Sequence, residues 1–305
     1  MADAQPGIFA QGTRAHYHLE FDLVDGAADR DVRAAVQALR EPSVTVGGFN
    51  LIIAFGPALW ARLAPGGADR GWGAFQPVGG PGPPRAPATQ HDVWVWVHGT
   101  GPDLALDAAR AVTSAMGPAA ALAAEQPGFV YRDSRDLTGF IDGTENPPTY
   151  EAPSVAVVPD DAPGAGGSYA MAMRWVHDLE AFDRLSLVDQ ERVFGRTKPD
   201  SVELDEAAKP PTAHIARVSI EEDGEELHIY RRSVPYGTVH EHGLFFVAFS
   251  ADPSRFDKML ARMFGTGPDG VRDRLTDFSH PVSGSYYFAP SLQDLEGVGA
   301  EPSAS

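Results

Sequence analysis

Polar and apolar residues alternate one by one near the start of the chain, in AHYHLEFDLV (15–24), the pattern of a strand with one buried face. The period then lengthens. Residues 31–40 read as a helix with acid early and arginine late, which suits the helix dipole. Residues 43–55 read as a second strand running into LWARL, and 64–90, rich in glycine and proline, as a surface loop. DVWVWVHG (92–99) predicts a third strand, DLALDAARAVTSAM (103–116) an amphipathic helix, and FVYRDSRDLTGFIDG (129–143) a returning strand and turn.

The second half reads alike. SYAMAMRWVHDL (168–179) predicts a strand and AFDRLSLVDQERVFG (181–195) a helix. HIARVSI, ELHIYRRSVPYG and GLFFVAFS, all within 214–250, predict three strands. PSRFDKMLARMFG (253–265) follows as a helix and SGSYYFAP (283–290) as the last strand. Strand–helix–strand–strand–helix–strand is the split βαβ order. The expectation is an α+β fold of two ferredoxin-like halves with antiparallel sheets, residues 7–150 and 168–291. An ancestral duplication would explain them, although no residue-level repeat is visible. Residues 151–167 read as a linker and 292–305 as a disordered tail.

With 305 residues, 43% of them hydrophobic, the chain is long enough for a substantial core. Its net charge of −18 argues against binding nucleic acid or an anionic membrane, both of which need basic surface. No apolar run reaches the length of a membrane span, and the first residues show neither a secretory nor a twin-arginine pattern, so a cytoplasmic location is expected. The chain has no cysteine. Metal or cofactor chemistry therefore falls to His, carboxylate, Tyr or Met.

Taken singly, the candidate residues have ordinary explanations. His16 and His18 share a strand face, where packing explains them. His240 and His242 flank Glu241 after a glycine turn, and His91, His98, His177, His228 and His280 carry no spacing signal. His214, in KPPTAHIARVSI, stands where two prolines constrain the chain ahead of an expected strand. Asp142, in GFIDGTENPP, occupies a common Asp-Gly turn. Arg231 and Arg232, in HIYRRSVPYG, should face opposite sides of a strand.

Taken together, GFIDGTENP, VFGRTKPDSVEL, AHIARV, IYRRSVPYG, GLFFVAFS and LTDFSHPVSGSYYFAPS fall in one order, and in that order the chain resembles the dye-decolorizing peroxidases over most of residues 7–292. The wording RRSVPYG and the compact length resemble the B-type branch. The resemblance implies a fold shared with chlorite dismutase, with haem b held mainly by the C-terminal half. The implied activity is a peroxidase that uses hydrogen peroxide to reach a ferryl state and oxidises dyes, phenolics or Mn²⁺. A haem carrier or a protein that strips iron from haem is the alternative.

Carried over position by position, the resemblance makes His214 the proximal iron ligand, with Asp277 as the acid that tunes it. Asp142 and Arg231 become the distal pair, and Ser233 the residue that holds a distal water. Because Asp stands where many peroxidases have His, acidic pH optima are expected for dye oxidation. Ile215, Leu244 and Phe246 are expected as walls and Arg196 as a propionate partner, with Glu145 and Asn146 helping through their backbone. Bulky donors would need electron transfer through Trp or Tyr, for which Trp60, Trp72, Trp94, Trp96, Trp175, Tyr286 and Tyr287 are available. A homo-oligomer is expected by resemblance. The C-terminal segment lacks a clear Gly-Ser-Leu motif, so encapsulation is not expected.

Overall fold

A computed structural model describes residues 2–40, 48–68, 71–82 and 84–299. The first half runs β1 (Ala15–Leu23), α1 (Asp29–Arg40), β2 (Phe49–Phe55), α2 (Pro57–Leu63), β3 (Val93–Gly99), α3 (Pro102–Met116) and β4 (Ala120–Phe129). Then come α4 (Ala152–Ala156), β5 (Ser168–His177), α5 (Leu179–Asp183), α6 (Leu187–Phe194) and α7 (His214–Val218). A short hairpin, β6 (Glu221–Glu222) and β7 (Glu225–Glu226), precedes β8 (Tyr230–Arg231), β9 (Val234–Gly237) and β10 (His242–Ser250). α8 (Ser254–Met263), β11 (Ser279–Pro281), β12 (Ser285–Ala289) and α9 (Leu292–Gly299) finish the described chain.

Both halves use one strand order. The first pairs as β4-β1-β3-β2 and the second as β12-β5-β10 with β8 and β9 beyond, every pairing antiparallel. β12 joins β2 through Phe288 and Phe55, so the two sheets become one. At the far ends β4 packs against β9, and a Cβ on Gly128 would sit 2.6 Å from Val234. The sheet therefore curls until its edges meet. Its inner face buries Trp94, Trp96, Phe245, Phe249 and Tyr287, while α1, α2, α3 and α8 cover the outer face. This explains VWVWVHG: a strand buried on both faces needs apolar residues at every position. Val93, Val95 and Val97 pack outward, and Trp94 and Trp96 inward.

Local chemistry revises several expectations. HIARV is a helical turn, because the Ala213 amide donates to the Pro210 carbonyl and the Arg217 amide to that of Ala213. Its apolar residues Ile215 and Val218, three apart, then face one side. The helix expected over 181–195 is two: Asp178 caps α5 and Ser186 caps α6, each accepting from a backbone amide three residues on. The supposed linker buries Ala152 and Ala156 in α4. The expected disordered tail begins instead as α9, where Leu295 and Val298 are buried and Arg33 donates to the Val298 carbonyl. The loop over 64–90 is not wholly superficial, since Phe75 is buried against Tyr286. Of the expected strand 43–55, residues 43–47 lie outside the described residues, as do 300–305 of the tail.

Candidate active site

On the outer face of β5 and β10, side chains of Met171, Met173, Trp175, Leu244 and Phe246 form an apolar wall. α6, α7 and α8 and the turn carrying Asp136–Glu145 complete a pocket around it. His214 and Ile215 come from the start of α7. Gly195 ends α6 with φ +82°, and any Cβ there would lie 2.5 Å from Ile215. Close approach and backbone conformation both require glycine, and they bring α6 against α7.

The His214 Nδ1 lies 2.7 Å from Oδ2 of Asp273, which is fully buried. A carboxylate only accepts, so Nδ1 carries the hydrogen, and in the neutral ring Nε2 keeps a lone pair. Nε2 has no hydrogen-bond partner among the described residues, on a half-buried ring that lines the pocket. Asp273 is itself held by the Leu275 amide at 2.8 Å. Asp277, expected in this role, pairs with Arg272 at 2.6 Å and does not line the pocket. The physical reason is a 3-10 turn over Arg274–Asp277: Asp273 caps it from inside, and Asp277 leaves at its outer end.

Asp142 and Arg231 also line the pocket. The GFIDG turn reaches it because Gly139 and Gly143 take φ values of +90° and +79°, which side chains with a Cβ rarely adopt. Burial pushes the Asp142 carboxyl up, while the Arg231 charge pulls it down and Asp136 pushes it up again. The two groups interact electrostatically but form no ion pair, and among the described residues the buried Arg231 Nε has no partner. A small polar molecule could thus lie between acid and guanidinium. Asn146 explains how Arg231 is held: its Nδ2 donates to the Arg231 carbonyl at 2.7 Å, and its Oδ1 accepts from the Arg231 amide at 2.8 Å. Asn146 acts through its side chain, not its backbone, and does not itself line the pocket.

Ser233 is not brought to the site. It does not line the pocket: between β8 and β9 the Ser233 Oγ accepts from the Val247 amide of the neighbouring strand at 3.3 Å. Arg232 does face away, over the Trp96 ring at 5.2 Å, donating to the Ile8 and Ala10 carbonyls. Arg196 lines the pocket, ion-paired with Glu145 and donating to the Ser201 carbonyl at 2.6 Å. Leu244, Phe246 and Ile215 are at the wall as expected.

Sequence reasoning missed Asp273 and a second network behind Asp142. His177 Nε2 meets Asp136 Oδ1 at 2.9 Å, and Ser279 Oγ lies 2.8 Å from His177 Nδ1. Burial alone would raise Asp136, but the charge and hydrogen bond of His177, with the side-chain and backbone hydrogen bonds of Thr138, outweigh it and hold its carboxyl at about 2. The only signal for Asp273 was its suitability as a cap ahead of Arg-Leu-Thr. As a whole, the pocket suits a flat apolar macrocycle with a metal centre. It offers apolar walls, an imidazole lone pair braced by a carboxylate, and an unpartnered Arg231 Nε, with a further cation, Arg196, lining the pocket.

Comparison with known proteins fits this geometry. A family model described as "Dyp-type peroxidase, N-terminal" matches residues 5–130, and one described as "Dyp-type peroxidase, C-terminal" matches residues 133–294. GFIDG thus falls within the C-terminal match, although the expected boundary stood at residue 150. A dye-decolorizing peroxidase of Mycolicibacterium paratuberculosis is 36% identical over 301 residues, covering 95% of this chain and 84% of the relative. That of Mycobacterium tuberculosis is 36% identical over 260 residues, covering 84% and 77%. Among solved structures, DyPB from Rhodococcus jostii RHA1 superposes with a TM-score of 0.89 at 34% identity, covering 98% of this chain and 100% of its own. A variant of it in complex with heme gives 0.88 at 34%, covering 95% and 97%.

Proposed function

The chain belongs to the Dyp-type, dye-decolorizing peroxidase family and is a haem peroxidase, and we propose that His214, Asp142 and Arg231 carry its reaction. The observation behind this reading is that all three line one apolar pocket, with the Nε2 lone pair of His214 unspent. Haem b, when bound, supplies the iron that receives peroxide and the oxidising equivalents passed on to donors.

Every other role falls to the protein. His214 Nε2 would hold the iron, and Asp273 raises its basicity by accepting from Nδ1. Asp142, when ionised, takes a proton from one peroxide oxygen and returns it to the other, which leaves as water. Arg231 favours the ionised form of Asp142 and stabilises charge on the departing oxygen. Asn146 positions Arg231. Arg196 offers a guanidinium to a propionate once it exchanges Glu145 for that partner. The apolar wall excludes water from the proton transfer.

We infer dyes, phenolics and similar one-electron donors as reductants, and a cytoplasmic homo-oligomer of the B-type branch, from the resemblance in RRSVPYG and its neighbours. A spectrum of the purified protein before and after hydrogen peroxide tests the central reading. A Soret band that shifts on peroxide and recovers as a dye bleaches is expected. A Soret band indifferent to peroxide would instead mark a haem carrier.

A further inference from the structure

Methionine is scarce in this chain, six in 305 residues, yet four of the six line the pocket of His214, Asp142 and Arg231. Met171 and Met173 come from β5, and Met259 and Met263 from α8, four apart on one face. Met116 is fully buried in α3 and does not line the pocket. The chain has no cysteine, and among the described residues no tyrosine lines the pocket. Its readily oxidised side chains are therefore these thioethers and Trp175.

Burial ranks the four. Met173 is fully buried and Met171 nearly so, and neither offers an incoming oxygen much surface. Met259 is 7% exposed, and Met263 is half-buried. The end of α8 that carries Met263 is also fixed in place. The Asp273 amide donates to the Met263 carbonyl at 2.9 Å, and Arg262 donates to the Ala216 and Ser219 carbonyls at 2.8 and 3.1 Å. Asp273 braces His214, and Ala216 follows His214 by two residues in α7. Met263 is thereby held beside the His214–Asp273 pair. A thioether there stands close to where the oxidising equivalents of peroxide arise.

We propose that Met263 is an internal oxidation site, converted to the sulfoxide when peroxide arrives and no external donor follows. This role rests on the haem peroxidase reading above. The sulfur loses two electrons and gains one oxygen atom, and peroxide takes up the two electrons. One thioether and one hydrogen peroxide thus yield one sulfoxide and one water. Dyes or phenolics compete for the same equivalents, so a supply of donor spares the methionine. Oxidation places a polar S–O group in an apolar wall, and sulfoxide reductases can reverse it. The sulfur of Met263 thereby records turnover that ran without reductant.

The test is peptide mass spectrometry on the holoprotein after hydrogen peroxide, given alone, with excess cyanide blocking the iron, or with a dye donor present. Sulfoxide at Met263 should be at least about tenfold higher with peroxide alone than under either other condition. Met116 should stay unmodified throughout. Equal oxidation of Met263 under cyanide or beside the dye would mean plain attack by peroxide on a partly exposed thioether, and it overturns the proposal. So does a Met263 that stays unoxidised, or oxygen gained at Trp175 in its place. Failure of the peroxidase reading would show separately, as absence of a Soret band or of a spectral response to peroxide.

Discussion

On the outer face of β5 and β10, His214 pairs one nitrogen with Asp273 and turns the other loose toward open space. On the inner face, His16, His18 and His98 are stacked among Trp94, Trp96 and Phe245, and none of the three lines that pocket. Burial lowers His16 and His98 to about 3 and His18 well below the usual range, so the inner rings stay neutral. Adjacent arginines repeat the contrast. Arg231 keeps a buried Nε unpaired beside Asp142, whereas Arg232 spends its guanidinium on two carbonyls and the Trp96 face. Residue type does not separate the two faces. What separates them is whether the polar group borders the apolar pocket, as His214 and Arg231 do and the inner rings and Arg232 do not.

The largest effect should come from the histidine of the outer face. His214→Ala is expected to lose the Soret band, and peroxide turnover with it, while His18→Leu on the inner face keeps both; absorption spectra of the two variants decide. Next come the distal groups. Asp142→Ala should slow the reaction with peroxide by about 10²- to 10⁴-fold in stopped flow, the usual worth of a positioned proton carrier. Arg231→Ala should cost at least as much. Arg232→Ala should leave that rate alone and lose roughly 2 kcal/mol of stability, read by denaturant unfolding. Equal rate losses at positions 231 and 232 would erase the contrast between the faces.

Asp273→Asn should lower iron affinity or turnover about 10- to 100-fold, since it removes the brace on the His214 imidazole proposed to hold the iron. Asp277→Asn should do neither. The pH response of Asp142 sharpens the picture further. Burial raises its carboxyl in the fold, so the folded chain holds that proton more tightly than the unfolded one. Its stability contribution is present below the unfolded value and is lost as pH rises through the folded one. Haem-free Asp142→Asn should therefore melt a few degrees higher than the parent at neutral pH. The peroxide rate should fall as pH drops through the raised value, and Arg231→Ala should move that fall to higher pH. The smallest effect is the stability of His18→Leu. Both ring nitrogens of His18 lack hydrogen-bond partners among the described residues, so their removal should change stability by no more than about 1 kcal/mol, or raise it.

The order of elements was legible because each long segment had a clear period and the two halves repeat one arrangement. VWVWVHG and GLFFVAFS could not be mistaken for anything but buried strands. HIARV could: a five-residue run with apolar residues fits a strand or a helical turn, and only the hydrogen bonds set up by Pro210 decide. The site divided in the same way. His214, Asp142 and Arg231 stand in distinctive wording. Asp273 and Asp277 are two acids four residues apart, and only the turn between them determines which points inward. Ser233 was misplaced because alternation does not reveal that its hydroxyl takes the Val247 amide of the neighbouring strand. The His177–Asp136 pair left no trace, since its members are 41 residues apart with no shared motif.

Asn146 has one more implication. It follows Asp142 by four positions in the same turn, yet its amide grips the backbone of Arg231 on β8 from both sides. The acid and the base-stabilising cation, which come from distant parts of the chain, are thereby mounted on a common bracket. Thermal drift of the turn relative to the sheet carries both together, so the gap between them is shielded from breathing motions that would otherwise open and shut it.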